Sequence, residues 1–233
     1  METEFVLFDF DGVIANTEES NAAYLEKALS AFGIQLTDDD RKALIGTNDK
    51  ARIESLLSRS LVKVTAEDLA GKRRQVGNTY ENSCIRPMPG VVSLIQEIRG
   101  RGIKTGLVTS TSTRLIMIAL NRMRMTALFD VVICGDMCAN HKPDPECYNK
   151  AMDYLGAEPC KCIVFEDSAV GIHAARLAGA RVAAYRGSGI QQDVSEADLI
   201  VDSYDECKDM LDDIMQGKIT QGRITQGVIM PCK

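Results

Sequence analysis

The chain has 233 residues, of which 45% are hydrophobic and 26% charged, with a net charge of −6 and a pI near 5.1. This size and composition fit a globular protein made of one large domain or of a core with one insertion. The acidic balance argues against nucleic acid as a partner. No apolar run is long enough to span a bilayer and no basic leader begins the chain, so we expect neither a membrane protein nor a secreted one.

The eight cysteines do not form a recognisable metal-binding pattern. Cys134 with Cys138, and Cys160 with Cys162, both lack the matching second pair that a zinc site needs. Because no secretory leader is present, reduced thiols are the default, and a disulfide or soft-metal site is the minor alternative. We therefore expect a cytoplasmic protein, present as a monomer or a weak dimer.

The first predicted element is a strand over residues 4–8, an uninterrupted apolar run of the kind found in buried parallel sheets. Helices are predicted after it, and no convincing strand occurs between residues 14 and 86. The chain then reaches a stretch rich in proline and glycine, 86–90, which is typical of a hinge. The helices predicted before this hinge span 18–32, 38–45, 49–59 and 65–81.

After the hinge, helices and strands alternate along the chain. The alternation predicts an α/β fold with a doubly wound, Rossmann-like parallel sheet. Residues 1–13 and 87–215 would form this core, and residues 14–86 an inserted helical cap lying over the carboxyl end of the first strand. A short near-repeat begins the C-terminal tail, 216–233, for which we expect a flexible extension with no assigned role. The predicted helices are 90–100, 112–124, 146–155 and 168–178, and the predicted strands are 103–109, 130–134, 162–165, 181–185 and 198–201.

Asp9 and Asp11 directly follow the first predicted strand, and Gly12 supplies the turn. Ligands of open α/β sheets bind at the carboxyl ends of the strands. Two carboxylates this close repel each other unless a cation or a shared proton compensates, and Mg²⁺ is suited to carboxylate and phosphate oxygens. Taken alone, the motif also fits an ordinary solvated turn.

Hydroxyl groups and a lysine follow two further predicted strands. Residues 109–112 read Thr-Ser-Thr-Ser, and their hydroxyls and turn amides can donate to phosphate oxygens. Ser112 also fits the N-cap of the next helix. Lys142 precedes Pro143, which favours an extended backbone and could aim the lysine at a site, although a lone lysine is usually a solvated surface group.

A second acidic pair, Glu166 and Asp167, follows the predicted strand 162–165, and Ser168 is placed to cap the next helix. One such pair is a weak signal. Two acidic pairs, a hydroxyl cluster and a lysine at successive strand ends together favour a single site.

These motifs resemble those of the haloacid dehalogenase-like hydrolase superfamily. The resemblance spans about residues 4–186, and its motifs occur in order: Asp9 to Val13, Thr109, Lys142-Pro143 and Glu166 to Ser168. A helical insertion directly after the first motif is similar to the cap of the β-phosphoglucomutase and phosphoglycolate phosphatase branch.

The resemblance implies roles for the matching residues. Asp9 would be the nucleophile that forms an aspartyl-phosphate, and Asp11 the general acid/base. Thr109 would hydrogen-bond the transferring phosphoryl group beside the backbone amide of Ser110, and Lys142 would neutralise charge on Asp9 and the phosphate.

A Mg²⁺ site is implied as well. The ion would be bound by Asp9, by the backbone carbonyl of Asp11 and by Asp167, with Glu166 assisting directly or through water. The second aspartate of the first motif favours phosphate esters over haloacids as substrates.

The chain departs from this branch at two positions. Asn16 stands where the branch usually has an aspartate, and Asn21 stands where β-phosphoglucomutase has a histidine that positions the general acid/base. The second departure weakens the mutase interpretation. Residues 46–52 are predicted to face the substrate, with Arg52 or Lys50 contacting its distal group, although a solvated helix start fits them equally well.

The leading interpretation is a Mg²⁺-dependent phosphatase acting on a small phosphorylated metabolite such as a sugar phosphate. A hexose-phosphate mutase of the β-phosphoglucomutase type is the alternative. A phospho-accepting receiver module and a catalytically inactive binding protein are disfavoured, because the cap insertion is present and every catalytic side chain is retained.

Overall fold

The computed structural model describes residues 2–44, 50–218, 222–225 and 228–230. The chain divides into two compact units, one of Met1–Asn16 with Arg86–Lys233 and the other of Thr17–Ile85. We call the first the core unit and the second the helical unit. The predicted cap, 14–86, differs from the helical unit by a few residues at its start and by one at its end.

The described residues of the core unit contain a single sheet with the strand order β3-β2-β1-β4-β5-β6-β7-β8. All neighbouring strands from β3 to β7 are parallel, and β8 is antiparallel to β7. The prediction of an α/β class with a doubly wound, Rossmann-like parallel sheet is confirmed. The strands are β1 Phe5–Phe8, β2 Lys104–Val108, β3 Val131–Ile133, β4 Cys162–Glu166, β5 Arg181–Tyr185, β6 Leu199–Val201, β7 Gly222–Thr225 and β8 Val228–Met230.

Helices cover both faces of the sheet. Leu7 and Val164 lie in an apolar cluster with residues of two helices on one face, whereas Phe8 and Phe165 stack on the other with ring centroids 5.0 Å apart. Such burial on both faces explains why β1 and β4 are continuous apolar runs. The core-unit helices are α6 Val91–Gly100, α7 Thr113–Arg122, α8 Glu146–Leu155, α9 Ala169–Leu177, α10 Tyr204–Asp209 and α11 Leu211–Met215.

The strand register aligns the carboxyl ends of the central strands. Phe8, the last residue of β1, pairs with Leu107 of β2 and Phe165 of β4. The residues that follow these strands therefore emerge at one edge of the sheet, where open α/β folds bind their ligands.

The helical unit has an apolar core of its own, which includes Leu29, Ile34 and Leu56. The helix predicted over 65–81 is two helices, because Gly77 has a φ of +97° and interrupts it. The helices of this unit are α1 Glu18–Ser30, α2 Asp38–Leu44, α3 Lys50–Leu57, α4 Ala66–Val76 and α5 Thr79–Asn82.

Two other sequence expectations need correction. The C-terminal near-repeat is not a structureless extension throughout, because β7 and β8 lie within the predicted tail. Ser112 occupies the N-cap position of α7, but its side chain forms no capping hydrogen bond.

None of the helices in the described part of the chain combines the length and apolarity needed to cross a bilayer. The cysteines among the described residues are free thiols, and Cys232 lies outside them.

Candidate active site

Strand β1 delivers Asp9 to the carboxyl edge of the sheet. The Asp9 amide donates to the carbonyl of Phe165 at 2.9 Å, which extends the pairing with β4 by one residue. The chain then turns at Gly12, whose φ is +79° and whose amide donates to the Ala15 carbonyl at 2.8 Å. This φ is one that glycine adopts without steric cost.

Lys142 contacts two carboxylates of the predicted site. Its Nζ lies 2.6 Å from Asp9 Oδ1 and 2.6 Å from Glu166 Oε1, and only 5% of its side chain is exposed. It also donates to the Val108 carbonyl at 3.3 Å. The lysine is therefore not the solvated surface group that a lone lysine usually is.

Glu166 is a fully buried carboxylate whose two oxygens both accept hydrogen bonds. Oε1 accepts from Lys142 and from the Tyr148 hydroxyl at 2.9 Å. Oε2 accepts from the Asp167 amide and from both the amide and the hydroxyl of Ser168, each at 3.0 Å. This saturation orients Glu166 firmly and compensates for the cost of burying its charge.

Asp9, Glu166 and Asp167 each offer a carboxylate oxygen, and these oxygens lie within 4.8 Å of one another. Gly12 makes room for the group, because a Cβ atom at that position would stand 1.8 Å from Asp167 Oδ2. An all-oxygen cluster of this kind fits a hard divalent cation such as Mg²⁺.

Residues 109–111 lie beside the carboxylates. Thr109 is buried, and its hydroxyl accepts from the Thr111 amide at 3.1 Å, whereas Ser110 is exposed. Thr111 Oγ1 donates to Asp11 Oδ2 at 3.0 Å. Thr111 therefore connects the loop after β2 to Asp11 of the first acidic motif.

Comparison with known proteins identifies the family of the chain. Residues 6–185 match the family described as haloacid dehalogenase-like hydrolase. The chain belongs to this family.

Several individual proteins are similar to this chain over most of its length. A phosphorylated carbohydrates phosphatase of Thermotoga maritima is 30% identical over 76% of this chain and 82% of its own. An N-acetylmuramic acid 6-phosphate phosphatase of Pseudomonas aeruginosa is 28% identical over 91% of this chain and 96% of its own. The crystal structure of CbbY from Rhodobacter sphaeroides in complex with phosphate covers 89% of this chain and 96% of its own, with 27% identity and a TM-score of 0.74.

The electrostatics of this haloacid dehalogenase-like site are dominated by burial. Burial raises the pKa of Asp9 well above its ordinary 3.8, and Glu166 and Asp11 add to the rise, although Lys142 opposes it. Burial lowers the pKa of Lys142, but Asp9 and Glu166 raise it by more, so that it lies well above 10.5. Burial raises the pKa of Glu166, whereas Lys142 and the other donors lower it below its ordinary value. Lys142 is thus a fixed positive charge facing two acids.

The predicted residues Asp9, Lys142, Glu166 and Asp167 come together in the core unit, with Asp11 and Thr109 on adjoining loops. Arg52 does not belong to this unit. It lies exposed on α3 of the helical unit, where it lines a cavity of about 310 Å³ with Asp40 and Arg59 among others. Of the predicted loop 46–52, residues 46–49 lie outside the described residues.

Tyr148 is a residue that the sequence reasoning missed. It is buried on α8, and its hydroxyl donates to Glu166 while Lys142 Nζ lies 4.9 Å from the centre of its ring. The sequence placed it only within the predicted helix 146–155, and nothing in the sequence connected it to Glu166.

Proposed function

We propose that the chain is a Mg²⁺-dependent phosphatase that hydrolyses a small phosphorylated metabolite, such as a sugar phosphate, through an aspartyl-phosphate on Asp9. The observation that carries the proposal is the buried Asp9 carboxylate, which contacts Lys142 Nζ at 2.6 Å within a cluster of acidic oxygens. The phosphatases among the relatives support the enzyme class, a phosphoric monoester hydrolase.

Asp9, Asp167 and the backbone carbonyl of Asp11 are the groups we assign to Mg²⁺. Glu166 would assist through its contacts rather than as a direct ligand, because both of its oxygens are engaged by protein donors. When bound, the ion would neutralise charge on the phosphoryl oxygens and favour the ionised form of Asp9.

In the first half-reaction, a carboxylate oxygen of Asp9 attacks phosphorus and forms the P–O bond of the aspartyl-phosphate. The bond between phosphorus and the ester oxygen breaks. Asp11 donates its proton to that leaving oxygen, which departs as an alcohol. Lys142 remains protonated and offsets the charge of the attacking carboxylate and the phosphoryl oxygens.

In the second half-reaction, Asp11 takes a proton from a water molecule that attacks phosphorus. The bond between phosphorus and the Asp9 oxygen breaks, which releases inorganic phosphate and restores both carboxyl groups. Thr109 and the Ser110 amide would bind the phosphoryl oxygens in both steps. Arg52, in the helical unit, stays a prediction for the distal part of the substrate.

The mutase alternative needs a group that positions the general acid/base in the manner of the missing histidine. Asn21, at the matching position, lies on α1 of the helical unit and accepts a hydrogen bond from the Thr79 hydroxyl at 2.7 Å. An amide, unlike an imidazole, does not become positively charged near neutral pH, so Asn21 does not reproduce the charged donor that a histidine can present to the general acid/base, which favours the phosphatase.

A small metabolite rather than a nucleic acid fits the acidic chain. Action in the cytoplasm, as a monomer or a weak dimer, stays a prediction.

The first test is phosphate release from a panel of phosphorylated sugars, polyols and carboxylic acids, measured with Mg²⁺ and with a chelator. We expect Mg²⁺-dependent release that Asp9→Asn abolishes, because an amide is not a nucleophile. Asp38→Asn, the same change at an exposed carboxylate of the helical unit, is the matched control and should retain activity.

The intermediate can be trapped by acid quenching during turnover of a labelled phosphate ester. We expect the phosphoryl label to be bound to the wild type and to be released by hydroxylamine. Asp9→Asn should carry no label. Full activity of Asp9→Asn would refute the nucleophile assignment. Conversion of β-glucose 1-phosphate to glucose 6-phosphate without net release, in the presence of the 1,6-bisphosphate, would favour the mutase.

A further inference from the structure

The loop that follows β2 carries a hydroxyl group not used in the mechanism above. Thr111 Oγ1 donates to Asp11 Oδ2 at 3.0 Å, and the two residues lie 100 positions apart in the sequence. Both belong to the core unit and are partly buried. The bond therefore joins the general acid/base of the proposed mechanism to the neighbouring strand end.

The Thr111 backbone is held on both sides. Its amide donates to the Thr109 hydroxyl at 3.1 Å, and its carbonyl accepts from the Gly135 amide at 3.0 Å. Gly135 follows β3 and packs so closely that a Cβ atom there would stand 2.2 Å from the Ser110 carbonyl oxygen. Two strand ends thus fix the backbone from which the hydroxyl reaches Asp11.

We propose that Thr111 is a positioning residue that sets the orientation of the Asp11 carboxyl group for proton transfer. The inference rests on the proposed function. A hydroxyl that donates to Oδ2 from a fixed backbone restricts rotation of the Asp11 carboxyl group. A proton donor must be held within hydrogen-bond reach of the leaving atom, so that loss of this restraint slows the step.

The leaving group decides how much this positioning contributes. An alkoxide is too basic to leave without a proton, whereas p-nitrophenolate is stable as an anion and needs little help. Loss of correct positioning should therefore slow hydrolysis of an alkyl phosphate much more than that of p-nitrophenyl phosphate. A general loss of folding or of phosphate binding would slow both alike.

The test compares Thr111→Val, which removes the hydroxyl at nearly constant shape, with Thr111→Ser, which keeps it. For the best alkyl phosphate of the panel, we expect kcat/KM of Thr111→Val to fall about tenfold, a part of the roughly 10²–10⁴-fold that general acid–base catalysis supplies. With p-nitrophenyl phosphate the fall should be less than about threefold, since that leaving group needs little protonation. Thr111→Ser should stay within about twofold on both substrates.

Ser112→Ala is the matched control in the same loop, because that side chain forms no capping bond to α7. It should behave as the wild type with both substrates. In the background of Asp11→Ala, Thr111→Val should cause no further loss, since the two residues act as one unit.

Equal losses on both substrates, no loss on the alkyl phosphate, or additive losses in the double variant would each overturn the assignment. Failure of the wild type to release phosphate from any ester would instead overturn the proposed function. The two failures are thereby distinguishable.

Discussion

At the scale of single residues, Gly12 shows how backbone geometry makes room for a ligand. Its φ of +79° and the 1.8 Å that would separate a Cβ atom from Asp167 Oδ2 both exclude larger residues. We expect Gly12→Ala to displace Asp167 and to raise the Mg²⁺ concentration for half-maximal activity at least about tenfold, as loss of a well-placed metal ligand does. Activity measured across a Mg²⁺ titration tests this.

Gly33→Ala provides the matched control. Gly33 has a similar φ of +74°, but no atom of the described residues lies within 4 Å of the place that a Cβ atom would occupy. This variant carries the same backbone strain without the clash, so its Mg²⁺ requirement should match the wild type. A Gly12→Ala enzyme with the same Mg²⁺ requirement as Gly33→Ala would contradict the role assigned to Asp167.

The site residues that could be predicted from the sequence are polar residues that follow a predicted strand. Asp9, Lys142 and Asp167 each stand beyond an apolar segment, and parallel strands deliver such residues to one edge. The contacts of Tyr148 and Thr111 were not predictable, because each depends on the side chain of a residue far away in the sequence. Only the packing of α8 and of the loop after β2 brings these partners together.

At the scale of the elements, Ser168 joins a helix to the site. Its hydroxyl accepts from the Gly171 amide at 3.1 Å, which caps α9, and donates to Glu166 Oε2. We expect Ser168→Ala to lower the free energy of unfolding by about 1 kcal/mol, the usual contribution of an N-cap. Urea denaturation followed by circular dichroism measures this change.

Ser112→Ala is the natural comparison, since Ser112 holds the same position on α7 without a capping bond. Its unfolding free energy should stay within about 0.5 kcal/mol of the wild type, as is usual for a substitution that removes no specific contact. Equal destabilisation by the two variants would show that the hydroxyl bonds of Ser168 contribute nothing specific.

The elements predicted from the sequence were those with a strong periodic or apolar pattern. β1, β4 and β5 are buried on both faces and therefore read as apolar runs, whereas β7 and β8 lie in a stretch dominated by glycine and polar residues. Such strands depend on pairing with a neighbour that no local pattern reveals. The helix break at Gly77 could not be predicted either, because a glycine inside a helical pattern is often tolerated.

At the scale of the whole molecule, the site places two buried carboxylates around a single ammonium group. Burial raises the pKa of Asp9, so the folded protein without a bound cation resists ionisation of this group. As the pH rises above 3.8, the Asp9 carboxyl ionises in the unfolded chain but stays protonated in the folded protein. The free energy of unfolding therefore falls as the pH rises toward the raised pKa of the folded state. At neutral pH the cation-free protein is therefore less stable than a variant with an uncharged residue in place of Asp9.

We accordingly expect Asp9→Asn to have a higher Tm than the wild type at pH 7 in the presence of a chelator. The difference should shrink or reverse when Mg²⁺ is added, because the ion binds the folded wild type and stabilises it by mass action. The difference should also shrink as the pH is lowered through 3.8, because the carboxyl then becomes protonated in the unfolded state as it is in the folded state. A lower Tm for Asp9→Asn in chelator at pH 7 would contradict this expectation.

The position of β1 in the strand order has a consequence for biosynthesis. β1 pairs with β2 on one side and with β4 on the other, and β4 ends only at Glu166. During synthesis, one edge of the apolar β1 stays unpaired until β2 has emerged, and the other edge stays unpaired until Glu166 has emerged. The helical unit, which has its own apolar cluster and is complete by Ile85, can form during that interval. Unpaired apolar edges are prone to aggregation, so we expect this chain to be more prone to aggregate during synthesis than after β4 has paired.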